Sequence, residues 1–219
     1  MALAGSAIQE LYTRRIDEYA LFINMFQSPK GVEAVLREMS VLQGGLHVLD
    51  AGCGYGMASL ALIRALKARR LNYERIDAFD LTGAMLERFK ETIETQMLSR
   101  IRLCQADVLV LETLPRDWSS YELVMAASML EYLPKKCFVR ALAALRERML
   151  LGGRLLVLIT KKTLESKLLI QWWWRAECYN KAELSESFHR AGFRGLRFHR
   201  FPLRYFWLNR VTYAIEAWS

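Results

Sequence analysis

The spacing of apolar positions changes near residue 45. Before that point apolar residues recur every three or four positions, which is typical of amphipathic helices. Ser6, with Gln9 three residues later, has the capping-box pattern of a helix start, and Ser28-Pro29 is a second start with proline at the first helical position. Gly44-Gly45 predicts the end of the second helix. We therefore expect two helices within residues 1–44, which form a helical cap ahead of the first strand.

Beyond this cap, short apolar segments alternate with helical ones, as in βαβ units with a parallel sheet. The helical stretches run from Met57 to Lys67, from Ala84 to Met97 and from about Lys135 to Met149. The apolar segments predict five strands at Leu46–Asp50, Arg75–Asp80, Ile101–Ala106, Tyr121–Ala126 and Arg154–Ile159.

The last part of the chain departs from this alternation. Lys181 to Ala191 has a helical pattern, and two further strands, Leu196–Arg200 and Tyr205–Trp218, are predicted around Pro202. A hairpin at the end of a parallel sheet makes its last strand antiparallel. Because no repeat, linker or low-complexity segment interrupts the chain, we expect one doubly wound α/β domain over residues 1–219.

A glycine-rich segment, Asp50-Ala-Gly-Cys-Gly-Tyr-Gly56, follows the first predicted strand. Glycine lets the backbone turn tightly and approach a ligand, and the helix that follows directs its free N–H groups at the same place. The dinucleotide fingerprint needs Gly or Ala at the sixth position from Gly52, where this chain has Met57, and the Lys-Ser/Thr of a P-loop is also missing. The segment therefore favours a nucleotide-like cofactor of another kind.

Three carboxylates stand at successive strand ends. Asp50 closes the first strand, Asp80 closes the second and Asp107 follows the third. Each alone is equally well explained as a helix cap or turn residue. Together they lie along one rim of a parallel sheet, where a carboxylate can accept hydrogen bonds from ribose hydroxyls. The remaining negative charge repels a pyrophosphate but tolerates a ligand that carries an amino group.

These segments resemble the motifs of the class I S-adenosylmethionine-dependent methyltransferases, over about Leu46 to Phe193. The resemblance implies a seven-stranded sheet with an antiparallel last strand. It rests on six segments in family order: Val48–Gly56, Asp80–Leu86, Gln105–Val108, Tyr121–Pro134, Leu151–Val157 and Ala191–Phe193.

The resemblance also implies S-adenosylmethionine as the cofactor. It implies that Asp50 lies near the amino group of the methionine part, that Asp80 binds the ribose hydroxyls and that Asp107 meets the adenine amino group. Carried over by position, the other expected cofactor-binding residues are Gly52, Cys53, Gly54 and Gly56 in the loop, Leu81, Met85, Val108 and Ala126 around the adenine, and Tyr12 or Tyr19 over the methionine end.

The acceptor is less well indicated. Ser128-Met-Leu-Glu131 stands where relatives that methylate nucleobase amino groups carry Asn/Asp-Pro-Pro-Tyr/Phe, which counts against that acceptor. In the family, the segment matching residues 160–180 is variable and lies over the acceptor. Here it holds Trp172, Trp173 and Trp174. Consecutive helix residues point about 100° apart, so either one of these rings lines the substrate cleft, an oligomer contact or a membrane interface, or the rings pack beneath the segment.

Three residues near the end of the chain are further acceptor candidates. His199 lies near the carboxyl edge of the sheet, where it is a candidate base, although a histidine flanked by arginines is more often a solvated side chain. Arg204 and Tyr205 follow the turn at Pro202 and are expected to approach the acceptor side. No catalytic residue is identified.

Charge adds one constraint. The net charge is +8, and no Asp or Glu occurs between Ser187 and Ile215, where arginines and aromatic residues interleave. Such a tract binds nucleic acid or anionic membranes in other proteins, or it forms core strands with solvated arginines. On the predicted last strands, it indicates a bias toward anionic substrates or surfaces.

Composition excludes several classes of protein. With 53% hydrophobic and 25% charged residues, the chain is neither disordered nor a disulfide-stabilised mini-protein. The four cysteines and three histidines have no metal-ligand spacing, so we expect reduced thiols and no metal. Met1–Ala7 lacks the features of a secretory leader, and no apolar run of about 18 residues occurs. A cytoplasmic protein is expected.

The sequence therefore predicts an S-adenosylmethionine-dependent methyltransferase with a small apolar or aromatic acceptor, with or without an acidic group. One alternative is a methyltransferase of a lipid head group or isoprenoid at a membrane surface. An alternative of another class is a non-catalytic scaffold subunit that binds S-adenosylmethionine. Nucleic acid is the least favoured partner, and the oligomeric state is left open.

Overall fold

A computed structural model describes residues 29–163 and 177–219 of the chain. The first predicted helix, Tyr12, Tyr19 and Trp172–Trp174 lie outside the described residues. The helices are α1 Pro29–Glu38, α2 Met57–Ala68, α3 Gly83–Thr95, α4 Lys135–Glu147, α5 Lys181–Arg190 and α6 Leu208–Val211. The strands are β1 Leu46–Ala51, β2 Tyr73–Asp80, β3 Ile101–Gln105, β4 Tyr121–Ala127, β5 Met149–Thr160, β6 Gly195–His199 and β7 Thr212–Trp218.

The seven strands form one sheet in the order β3-β2-β1-β4-β5-β7-β6. Neighbouring strands from β3 to β5 are parallel, and β7 pairs antiparallel with both β5 and β6. The strand order reverses between β1 and β4, and a crevice forms at the carboxyl ends of the strands at such a point. The predicted α/β class, the mostly parallel sheet and the antiparallel last strand are confirmed.

Two apolar layers cover the sheet. Val35 and Leu36 of α1 and Leu62 of α2 pack on one face, and Leu142 of α4 and Phe188 of α5 pack on the other. Each strand of the inner sheet is buried on both faces, which explains why its sequence is a short apolar run rather than an alternating one. Among the described residues, no helix has both the length and the apolar character needed to cross a membrane.

Three predicted boundaries are wrong, and one of them is the start of β5, which lies at Met149 rather than at Arg154. The helix α1 ends at Glu38 rather than at Gly44, and the strand predicted from Tyr205 begins only at Thr212. The intervening residues form a 3₁₀ turn, Leu203–Tyr205, and the short helix α6. The apolar pattern of this region indicated a strand, but tertiary contacts of Phe201 and Leu208 with α1 hold it in helical turns.

A buried carboxylate, Asp77 in β2, links three strands. Arg102 of β3 donates from Nε to Oδ1 at 2.6 Å and from Nη2 to Oδ2 at 3.0 Å. Arg75 Nε donates to Oδ2 at 3.0 Å, and the Tyr121 hydroxyl of β4 donates to the same oxygen at 2.7 Å. Asp77 is fully buried, and these donors compensate its negative charge.

We expect Asp77→Asn to lower the free energy of unfolding by about 3 kcal/mol, because it leaves two arginines without their buried counter-charge. Urea unfolding followed by circular dichroism measures the change. The control is Asp117→Asn, which removes an exposed carboxylate that pairs with the same Arg102 at 2.7 Å and should change stability little. Equal effects of the two substitutions would contradict the importance given to Asp77.

Candidate active site

A cleft of about 640 Å³ lies at the carboxyl edge of the sheet. It is formed by the loops after β1, β2, β3 and β4, so four separate parts of the chain meet there. Its lining residues are Gly52, Gly54, Phe79, Asp80, Leu81, Thr82, Met85, Ala106, Asp107, Val108, Ser128, Met129, Tyr132 and Leu133.

The glycines after β1 serve different purposes. All three have positive φ, with +66° at Gly52, +53° at Gly54 and +88° at Gly56. A Cβ at Gly52 would lie 2.2 Å from Met129 Cγ, and one at Gly56 would lie 2.2 Å from Phe89 Cε2. A Cβ at Gly54 would meet nothing within 4 Å. Gly52 and Gly56 therefore permit close packing within the protein, and Gly54 is the glycine that leaves space for a ligand.

Asp80 holds this loop in place from the end of β2. Its Oδ2 accepts a hydrogen bond from the Gly54 N–H at 2.8 Å, and its Oδ1 accepts one from the Thr82 N–H at 2.8 Å. Burial raises the pKa of Asp80, although these hydrogen bonds oppose the rise. The Thr82 side chain and the Leu81 backbone also donate hydrogen bonds to this carboxylate, which lines the cleft.

Asp50 lies below the cleft rather than on its surface. It is fully buried, and its Oδ2 accepts hydrogen bonds from the Ser59 hydroxyl at 2.6 Å and the Ser59 N–H at 3.1 Å. Within the described part of the chain, its Oδ1 has no hydrogen-bond partner. Burial raises the pKa of Asp50 to about 6. The predicted contact with an amino group of the cofactor stays a prediction, with Oδ1 as the available acceptor.

Asp107, Leu81, Met85 and Val108 all line the cleft, as their predicted role requires. Asp107 Oδ1 accepts the Leu109 N–H at 2.8 Å, which fixes the turn after β3. The side chains of Met85 and Val108 are otherwise buried, so they form an apolar wall beside the two carboxylates.

Cys53, Gly56 and Ala126 do not line the cleft, although the sequence places them next to residues that do. Cys53 is buried in a small cluster with Leu86 and Phe89, and burial raises the pKa of its thiol. Ala126 is buried in the layer covered by α4 and α5. For these three residues the structure shows packing, and cofactor contact stays a prediction.

Sequence reasoning missed the contribution of the segment after β4. Ser128, Met129, Tyr132 and Leu133 line the cleft opposite the glycine loop. Ser128 has a left-handed backbone with φ +55°, and its Oγ is buried without a hydrogen-bond partner in the described structure. Strained residues of this kind cluster at functional sites. The motif Ser-Met-Leu-Glu was noted in the sequence, but it carried no signal for which of its side chains face the cleft.

The acceptor candidates near the chain end also lie away from the cleft lining. The expectation that His199 is a solvated side chain is wrong, because only 5% of that side chain is exposed and Nε2 lies 2.8 Å from Glu216 Oε2. Glu216 also pairs with Arg154 at 3.2 Å. The His199 hydrogen bond lowers the pKa of Glu216. The Arg204 guanidinium stacks over the Tyr205 ring at 5.0 Å.

A further buried carboxylate, Glu131, lies in the same segment as the cleft residues Met129 and Tyr132. Glu131 is 1% exposed, its Oε1 accepts the Thr160 hydroxyl at 3.1 Å, and its Oε2 has no hydrogen-bond partner in the described structure. Burial raises its pKa to about 7. The Glu131 carbonyl accepts the Glu177 N–H at 2.7 Å, and Lys162 N–H donates to the Tyr179 carbonyl at 2.9 Å. Residues 160–163 and 177–179 therefore come together beside this carboxylate.

The raised pKa of Glu131 predicts how the free energy of unfolding depends on pH. The pKa of this carboxyl group is about 7 in the folded protein and 4.5 in its ordinary state. Below pH 4.5 the group is protonated in both the folded and the unfolded chain, so it does not lower the free energy of unfolding. Between pH 4.5 and pH 7 the unfolded chain ionises first, and the fold is increasingly destabilised. We expect Glu131→Gln to unfold like the parent protein at pH 4.5 and to be more stable by about 3 kcal/mol above pH 8. Urea unfolding across this range measures the difference. A difference that is the same at every pH would contradict the assignment.

No group of three His, Cys, Asp or Glu side chains suited to a metal ion occurs within residues 29–163 and 177–219. All four cysteines lie in this part of the chain as free thiols. The charged groups among the described lining residues are Asp80 and Asp107, with no Lys, Arg or His. Such a cleft favours a ligand with positive charge and disfavours a phosphorylated one.

Comparison with known proteins gives three kinds of similarity. Residues 48–153 match a family model described as a methyltransferase domain. A curated relative, carboxy-S-adenosyl-L-methionine synthase of Dichelobacter nodosus, is 26% identical over 168 residues, which is 77% of this chain and 63% of the relative. The chain thus spans less than two thirds of that relative's length.

Solved structures share the whole fold. Magnesium protoporphyrin IX methyltransferase from Synechocystis PCC 6803 with bound SAH is 17% identical with a TM-score of 0.73, over 99% of this chain and 100% of that one. The trans-methyltransferase CalH in complex with SAH is 17% identical with a TM-score of 0.71, over 94% and 62% of the two chains. Residues 48–153 thus match the methyltransferase-domain family, and the chain has the fold of these methyltransferases.

Proposed function

We propose that this protein transfers a methyl group from S-adenosylmethionine to a small apolar or aromatic acceptor, with or without an acidic group. The observation that carries the proposal is the cleft, which combines Asp80, Asp107 and the open space at Gly54 with no cationic lining residue in the described structure. S-adenosylmethionine carries positive charge on its sulfonium and on its amino group. It therefore suits an acidic cleft better than an anionic pyrophosphate does.

The chain's own residues fit the parts of the cofactor. The orphan Oδ1 of Asp50 is a buried acceptor for an amino group, and Asp80, which lines the cleft, is the proposed partner of the ribose hydroxyls. The bound cofactor supplies a methyl group on a neutral leaving group, so the protein mainly has to align the acceptor and exclude water. A general base is needed only where the acceptor must lose a proton.

The acceptor is proposed from the apolar side of the cleft. Met129, Tyr132 and Leu133 provide apolar surface opposite the glycine loop. The two structural relatives are methyltransferases by name, and one of them is named for magnesium protoporphyrin IX. The absence of Asn/Asp-Pro-Pro-Tyr/Phe after β4 counts against a nucleobase amino group. The net charge of +8 supports an acidic acceptor over a basic one.

A lipid head group or isoprenoid is the second candidate acceptor, favoured by the exposed apolar side chains near the carboxyl edge of the sheet. A scaffold subunit without activity is disfavoured, because loss of activity leaves no reason to keep the open space at Gly54 and the carboxylates of Asp80 and Asp107 together.

The free thiols of the four cysteines support a reducing, cytoplasmic location.

We expect the purified protein to bind S-adenosylmethionine with a dissociation constant in the micromolar range and Asp80→Ala to weaken binding at least about tenfold, because two hydrogen-bond acceptors to the ribose are lost. Isothermal titration calorimetry measures both constants. The control is Glu87→Ala, which removes the same charge from the exposed side of α3. Unchanged binding in Asp80→Ala would overturn the role given to Asp80.

The glycine loop makes a separate prediction. We expect Gly54→Ala to fold, with a cost of about 1 kcal/mol for its left-handed backbone, but to bind the cofactor at least about tenfold more weakly because its methyl group enters the cleft. Gly52→Ala should instead destabilise the fold by about 3 kcal/mol, because its Cβ meets Met129. Thermal unfolding and calorimetry on both variants distinguish the two effects. Equal losses of stability would contradict the different roles of the two glycines.

Activity is tested by mass spectrometry of the cofactor and of the acceptor. The protein is incubated with S-adenosylmethionine and panels of aromatic carboxylates, neutral aromatics and lipids. Acceptor-dependent S-adenosylhomocysteine supports methyl transfer and identifies the acceptor class. Conversion of the cofactor to a carboxylated form would assign the reaction named for the curated relative instead. Tight binding without any turnover across the panels would favour the scaffold alternative.

A further inference from the structure

The connection between β6 and β7, residues 200–211, has an inner and an outer side. Phe201 and Leu208 are buried on the inner side, where both contact α1 close to Gly31. The outer side exposes Leu203 by 90%, Phe206 by 59% and Trp207 by 38%. We call these three side chains the apolar tip.

The apolar tip stands on a fixed base. Asn209 accepts the Phe201 N–H at 2.9 Å and donates to the Phe201 carbonyl at 2.8 Å, which closes the connection into a loop. The Lys161 N–H donates to the Val211 carbonyl at 2.8 Å and joins the loop to the end of β5. Exposure of the tip is therefore a property of a packed loop, and these side chains stay in water at a cost in free energy unless something covers them.

Positive charge surrounds the tip. Arg200, Arg204 and Arg210 are exposed, and the chain has no Asp or Glu from Ser187 to Ile215. The next carboxylate, Glu216, is buried and paired with His199 and Arg154. The segment that forms the apolar tip thus contributes no exposed carboxylate that would weaken the attraction of its arginines for anions.

We propose that the apolar tip and its three arginines dock the protein on an anionic lipid surface. Aliphatic and aromatic side chains insert at the boundary between head groups and acyl chains, tryptophan is favoured there, and arginines beside them pair with anionic head groups. Nucleic acid is disfavoured because Trp207 packs edge-to-face with Tyr205 at 5.7 Å and with Phe206 at 6.0 Å, so these rings do not form an open stacking platform.

The docking surface lies at a functional edge of the molecule. Because β7 is antiparallel to both β5 and β6, β6 runs in the same direction as β1 and β4, and its carboxyl end is on the edge that holds the cleft. Docking through residues 200–211 therefore holds this edge near the lipid. The proposal concerns binding alone and does not depend on which acceptor is methylated.

The test is sedimentation of the full chain with vesicles of phosphatidylcholine, with and without phosphatidylglycerol. We expect binding to the anionic vesicles that weakens as salt is raised, and little binding to phosphatidylcholine alone. The double variant Leu203→Ser/Phe206→Ser should bind at least about fivefold more weakly, as should Arg200→Gln/Arg204→Gln. The matched control is Leu151→Ser, which removes an equally exposed leucine (89%) at the opposite edge of the sheet and should bind like the parent protein.

Two outcomes would overturn the proposal. One is no preference for anionic vesicles, and the other is an equal loss of binding in Leu151→Ser and in the tip variant. Binding of transfer RNA that depends on the tip, without vesicle binding, would assign the surface to nucleic acid. Asp80→Ala should keep its vesicle binding, so failure of the cofactor assignment and failure of the docking surface are separate results.

Discussion

The hydrogen bond from the Gly54 N–H to Asp80 Oδ2 is the interaction on which the cleft depends. It joins the loop after β1 to the end of β2, and a parallel bond from the Cys53 N–H to the Phe79 carbonyl at 2.9 Å supports it. From this fixed position, Gly52 lies against Met129 and Gly56 against Phe89, so the loops after β1 and β4 and the helix α3 are all placed by the same short segment. The carboxylate that holds the loop also lines the cleft.

Burial sets the electrostatics of this region. Asp50 and Glu131 both have raised pKa values because burial removes each carboxyl group from water. Asp77 and Glu216 are equally buried, but arginine and histidine donors compensate their charge. Asp77 and Glu216 join neighbouring strands away from the cleft, whereas Asp50 and Glu131 lie beside it. A region that keeps uncompensated carboxylates is suited to a cationic ligand. Burial of these groups without a counter-charge lowers the free energy of unfolding.

Much of the fold could be predicted because it depends on local pattern. The runs at Leu46–Ala51 and Tyr121–Ala127 are short, apolar and bounded by turns, so they are strands in sequence and in structure. The carboxylates at or just after the ends of β1, β2 and β3 lie along one edge of the sheet because these strands are parallel. The region after Pro202 was mispredicted as a strand because it is rich in apolar and aromatic residues, while contacts with α1 some 170 residues earlier decide its conformation. Likewise, His199 between arginines has the pattern of a solvated residue, and only β7 brings Glu216 to it.

The sequence by itself determined the order of strands and helices, the acidic rim and the glycine loop, since each follows from the period of apolar residues or from the backbone freedom of glycine within a few positions. Only the tertiary structure decided which glycine leaves room for a ligand, which carboxylates are compensated and which apolar side chains of residues 200–211 stay exposed. Those properties depend on what lies within a few ångströms in space. For this chain the relevant neighbours, such as Met129 for Gly52 and Gly31 for Leu208, are far apart in sequence, where no local pattern specifies them.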